Sequence, residues 1–224
     1  MADLTINQVS TITYLAPGTN LPTQFTNLGS LRVAQVESPG LEMARSGRSF
    51  VGGTTLVAGG IVPVVDLPTT TGNFELFNSS QAGAGQKSLV VKRISVFWAS
   101  GTLTATGFGV FAAVTPSVLA TAMTANDVTN FRTQCVRGPA TPAPLGFVGV
   151  AKTNPTGCAW MHLGGVSVVA NDNHAGPGYS VDISAHPFIV PPLFALNVGV
   201  LGDTGTTAKY GFSLYWDEVE MTLP

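Results

Sequence analysis

The stretch "KYGFSLYWDEVEMTL", residues 209–223, alternates along most of its length. Tyr210, Phe212, Leu214 and Trp216 fall on one side of an extended chain; Gly211, Ser213, Tyr215 and Asp217 fall on the other. A period of two is that of a strand buried on one face. Beyond Trp216 the apolar set moves to Val219, Met221 and Leu223, which predicts a β-bulge or a change of sheet.

Upstream, strand signals recur every ~10–15 residues, the spacing of a sandwich or barrel. They are "IVPVVDL", "NFELFN", "SLVVKRISVFWA", "TGFGVFAAV", "FRTQCV", "GVAK", "GCAWMHLGGVSVVA", "YSVDIS" and "FALNVGVLG". Residues 116–131 read either as a two-turn helix opened by Pro116 or as a long loop crossing between sheets. Residues 137–146 form a stiff Pro-rich loop. The 26 glycines and 15 prolines favour turns over long helices. The expected class is all-β: a sandwich at residues 61–224 behind an extended N-terminal arm at residues 1–60. In the arm, short apolar pieces, with a candidate strand near Leu31–Val36, alternate with proline and glycine. Such an arm buries no core of its own and lies along its own domain or a neighbour's.

Charged residues make up 10% of the 224, against about 25% in an ordinary domain. Mean hydropathy is +0.32. So little charge protects a monomer poorly from association, and assembly into an oligomer is expected. A net charge of −2 supplies no field for a phosphate backbone, which argues against nucleic acid. The uncharged run from Ile94 to Asn126 is broken by Gly, Thr, Ser and Pro116, so it reads as buried strands and no membrane partner is expected. The opening residues lack a basic and then apolar leader, so synthesis in a cytoplasm is expected. Cys135 and Cys158 are expected as free thiols.

Motifs for chemistry are weak. Gly83 to Ser88 imitates a phosphate loop, but Gln86 separates Gly85 from Lys87 and a β-branched run follows where a helix is required. His162, His174 and His186 lack zinc-ligand spacing; Asp172 and His174 lie in "NDNHAGPG", whose composition is that of a turn. No G-x-S-x-G elbow is present. Asp217, Glu218 and Glu220 cluster near the chain end and read as a solvated edge, and Glu75 is a candidate ion-pair partner for Lys92 or Arg93. The expectation is a non-enzyme with no catalytic residues, cofactor or metal.

Residues 56–99, "LVAGGIVPVVDLPTTTGNFELFNSSQAGAGQKSLVVKRISVFWA", resemble a pattern in virion structural proteins of tailed bacteriophages. The pattern has a Pro-Thr-Thr-Thr lead-in at Pro68 to Thr71, the strand Phe74 to Asn78, a variable loop at Gln81 to Gln86, and the strand Lys87 to Ile94. The closing strand is similar too. The resemblance implies a capsid-associated jelly roll: a decoration (cement) protein or a head-fibre component, located on the virion. Its implied partners are the major capsid protein and copies of itself, with a homotrimer suited to an icosahedral lattice. Arg45, Arg48 and Phe50 are the candidate capsid contacts, and removal of residues 1–50 is expected to leave a folded trimer that no longer binds capsids. The alternative is a receptor- or carbohydrate-binding head, with Trp160, Asp172, His174 and Tyr179 as its ligand loops. Phe97, Trp98, Phe212 and Trp216 are candidates for core or inter-subunit packing, and the Asn78 side chain for capping the turn that follows it.

Overall fold

The structure, a computed structural model, describes residues 43–55, 59–64, 66–67, 74–80, 85–101, 107–116, 130–136, 143–150, 158–166, 178–202 and 207–221. The sandwich unit runs from Gly40 to Pro224. Its strands are β1 (Ser49–Thr54), β2 (Phe74–Asn78), β3 (Lys87–Ser100), β4 (Phe108–Pro116), β5 (Phe131–Cys135), β6 (Gly146–Val150), β7 (Met161–Val166), β8 (Gly178–Asp182), β9 (Phe188–Val190), β10 (Phe194–Gly202) and β11 (Lys209–Glu220).

Two antiparallel sheets pack face to face. One has the order β5-β1-β11-β3-β8, with β9 continuing the β8 edge along β3; the other has the order β6-β2-β10-β4-β7. Early strands pair with late ones in reverse order: β1 with β11, β2 with β10, β3 with β8 and β9, β4 with β7. A double ribbon wound in this way is a jelly roll. Consecutive strands β5 and β6 add one strand to each sheet, outside β1 and β2.

The alternating residues explain the core. Tyr210, Phe212, Leu214 and Trp216 of β11 all point inward and are buried. Phe212 stacks on Phe74 of the opposite sheet (centroids 5.0 Å, 3° between planes), and Trp216 stacks on Phe50 (6.1 Å, 21°). Each such side chain contributes roughly 1.5–3 kcal/mol by leaving water. Trp216 fits because Gly52 and Gly146 stand against its ring: a Cβ on either would lie under 3.0 Å from indole atoms. Trp98 is half-buried against the core, and Phe97 is 39% exposed on the opposite face of β3.

Three expectations are corrected here. The arm does not extend to residue 60, because Ser49–Thr54 is an inner strand hydrogen-bonded to β11 and β5; a truncation at residue 50 would remove Phe50 from the core. The bulge expected beside Trp216 is present, but the apolar phase of β11 does not change there: Tyr215 faces Arg93 and Trp216 faces Val91, so the extra residue is Lys92 of β3, and β11 keeps its phase through Glu218. Asp217 and Glu218 are not a solvated edge but 1% and 3% exposed. The described residues of "IVPVVDL" make two single bridges, Ile61 to Tyr210 and Val64 to Leu201. The strand near Leu31–Val36 and residues 117–129 of the helix candidate lie outside the described residues.

Candidate binding face

The outer face of the first sheet is built in rows by strand register. One row runs Gln134, Val51, Tyr215, Arg93, Asp182; the next runs Arg132, Gly53, Ser213, Ser95, Ser180. The middle of the two rows, with Lys92, Asp182 and Ser184, lines an open concavity of about 410 Å³, bounded by Val51, Lys92, Arg93, Ser95, Asp182, Ser184, Ser213 and Tyr215. Beyond the second row Phe97 lies across Gly211, where a Cβ would meet its ring at 2.4 Å.

A hydrogen-bonded ladder orders the groove's polar groups. Arg93 Nε donates to Ser180 Oγ at 3.0 Å, and Ser180 and Ser95 share a hydroxyl contact at 2.9 Å. Asp182 accepts from the Ser184 amide at 2.9 Å. Hydrogen bonds from Ser184, reinforced by the Arg93 charge, hold the Asp182 carboxyl below its ordinary range. Arg93 and Asp182 make no ion pair with each other. At one end of the groove Lys92 pairs with Asp217, which also accepts from the Ser49 hydroxyl, so the bulge residue ties β3, β11 and β1 together. Glu75, proposed from sequence as a partner for Lys92 or Arg93, sits on β2 in the other sheet.

The residues singled out in the sequence do not converge. Arg45 is exposed and Arg48 half-buried just ahead of β1, with Arg48 Nε on Ser46 Oγ at 3.1 Å. Phe50 is fully buried and is not a contact residue, because its ring fills the core beside Trp216. Tyr179 is not a ligand-loop aromatic either. It points inward from β8, and its hydroxyl donates to the Leu163 carbonyl of β7, closing that side of the sandwich. Gly164, at φ +129°, leaves it the room: a Cβ there would lie 2.2 Å from the phenol oxygen. Trp160 is half-buried ahead of β7 and does not line the groove; Asp172 and His174 lie outside the described residues.

Asn78 behaves as its place at a strand end suggests. It accepts from the Ser80 amide and donates to the carbonyls of Lys87 and Val190, each within 3.0 Å. Both cysteines are free thiols, with Cys135 buried. Among the described residues no three His, Cys, Asp or Glu side chains gather as for a metal, and no helix is long and apolar enough to cross a membrane. No family model and no curated protein matches the sequence.

Proposed function

We propose that the chain is a non-enzymatic virion structural protein, a decoration subunit that associates with copies of itself and binds the major capsid protein on the outside of the shell. The observation that carries this reading is the jelly-roll strand order, an architecture that recurs in capsid proteins and lectins. The scarcity of charge supports it, since a surface of Thr, Ser, Gly and Ala is readily covered by neighbouring subunits. A trimer suits the threefold positions of an icosahedral lattice. Attachment is assigned to the residues ahead of β1, including the exposed Arg45. Binding across capsomer junctions would stabilise the assembled shell by mass action.

The test pairs light scattering on the full chain with co-sedimentation on empty capsid shells, for the full chain and for a shortened chain that begins at Gly40 and carries Arg45→Ala and Arg48→Ala. The full chain should be a salt-insensitive trimer that sediments with shells, and the shortened chain should fold without sedimenting. A monomer would remove the self-assembly claim, and absence of shell binding would remove the decoration claim. Undiminished binding by the shortened chain would remove the assignment of attachment to the arm.

A further inference from the structure

The groove on the outer face of the first sheet has a chemistry that decoration of a shell does not require. Its volume, about 410 Å³, falls within the ~300–1,000 Å³ of small-molecule sites. Its charges balance: Lys92 is matched by Asp217, and Arg93 stands opposite Asp182. A phosphate or polyanion would meet the Asp182 carboxylate, and a polycation would meet Arg93. An apolar ligand would strip water from both charges and return no hydrogen bonds.

Arg93 and Asp182 are directly cross-strand yet make no ion pair. Among the described residues Arg93 commits only its Nε, to Ser180. The rest of its planar fork therefore remains a donor set beside a carboxylate that still has acceptor capacity. The hydroxyls of Ser213 and Tyr215 have no hydrogen-bond partner among the described residues. A ligand satisfying this array must offer adjacent groups that both donate and accept, which is the property of a vicinal diol. The groove's apolar surface, at Val51 and the Tyr215 ring, suits the C–H face of a pyranose. The groups stand on paired strands, so the array is held rigid before any ligand arrives.

We propose that this groove is a binding site for a neutral saccharide, with Arg93 and Asp182 bridging neighbouring hydroxyls of one sugar ring. The site is distinct from the Trp160 and Asp172–Tyr179 segments, and it stands whether or not the chain decorates a capsid.

The experiment is saturation-transfer NMR on the full-length protein with four neutral probes: maltotriose, cellotriose, mannotriose and N,N′-diacetylchitobiose. At least one should bind, and its titration should shift the amide signals of Val51, Ser95 and Ser213 in the unaltered protein. Arg93→Gln and Asp182→Asn should each weaken it by about tenfold or more, the loss expected for a hydrogen bond to a charged group. Trp160→Ala should leave it unchanged. The shift map keeps the test decisive even where a variant folds poorly. Saturation transfer to none of the four probes would overturn the proposal. So would shifts confined to residues away from the groove, or light scattering with a shift map that buries this face between two copies of the chain.

Discussion

Alanine at Gly52 tests how the core is closed around Trp216. The Cβ it adds would stand 2.8 Å from Cη2 and 2.9 Å from Cζ3 of the indole, and 2.9 Å from Val148 Cγ1. The ring cannot retreat: it lies against Gly146, where a Cβ would meet it at 2.7 Å, and Phe50 stacks on it. Strand β1 cannot retreat either, because β5 and β11 are hydrogen-bonded to its two sides. Overpacking costs about 1–3 kcal/mol, and a site clamped from every side belongs at the upper end. The reduced freedom of the unfolded chain returns about 0.4–1 kcal/mol. The net expectation for Gly52→Ala is a loss of about 2 kcal/mol, or roughly 4–8 °C in melting temperature for a domain of this size.

Gly146→Ala makes an equally close contact; β6 is an edge strand, paired among the described residues with β2 alone, so it can yield more than β1, but an outward shift stretches the bonds of Gly146 to Glu218 and Thr133. Its expected cost is about 1–2 kcal/mol. Trp216→Phe removes the indole atoms that both contacts involve but leaves the 2.9 Å contact of a Gly52 Cβ with Val148, so in that background Gly52→Ala should cost about 1 kcal/mol. The coupling would then be about 1 kcal/mol, outside the additivity expected of independent sites. Urea and thermal unfolding followed by circular dichroism would measure all five proteins, the parent, the three single variants and the double variant. A Gly52→Ala protein as stable as its parent, or additivity with Trp216→Phe, would refute the account of the glycines.

Three more outcomes follow from buried polar groups. Burial raises the Glu218 carboxyl above its ordinary 4.5, outweighing the amides of Leu145 and Gly146 and the charge of Lys87. A raised acid contributes stability that is full below its unfolded value and lost as pH rises through its folded value. The parent should therefore gain stability relative to Glu218→Gln on acidification toward pH 4.5; a pH-independent difference between the two melting curves would contradict this. Lys92→Met leaves Asp217 buried without its cation and should cost about 2–3 kcal/mol, less than the ~3–5 of a fully buried pair because Lys92 is 24% exposed. An unchanged urea midpoint would show that the pair contributes nothing. Asn78→Ala removes three hydrogen bonds at a buried position and should cost about 2–3 kcal/mol. Asn78→Asp should be no better, since it sets a carboxylate against the carbonyls of Lys87 and Val190; retention of parental stability by Asn78→Asp in the same urea assay would count against that clamp.

The long strands were legible because each carries its alternation in its own residues. β11, β10, β4 and β3 read as strands from side-chain pattern alone, and β2 from its aromatic pair. β1 was not legible, and the reason is chemical. Its inward positions are Phe50 and Gly52, and the place of the second side chain is taken by Trp216 from β11. Glycine in a short segment argues against a strand until the residue that fills its space is known. β9, three residues long, is below what any periodicity can detect. The acidic pair is illegible on similar grounds. Asp217 and Glu218 look solvated in sequence because the groups that hold them, Lys92 at the β3 bulge and the amides at the start of β6, come from distant parts of the chain.

The groove was hidden for a further reason: its residues come from β1, β3, β8 and β11 and the turn after β8, and have no common spacing. Yet one segment held a usable signal. In "GYSVD", residues 178–182, Tyr179 and Val181 share one face of the strand, Ser180 and Asp182 the other. The apolar pair must take the buried side, which sends Tyr179 to the seam with β7 and presents Ser180 and Asp182 to solvent beside Arg93 and Ser95. Loop composition drew attention to the aromatic residue, whereas the two-residue period assigns the outward chemistry to its neighbours. A substitution at Tyr179 therefore tests the closure of the sandwich, and substitutions at Ser180 and Asp182 test what the outer face binds.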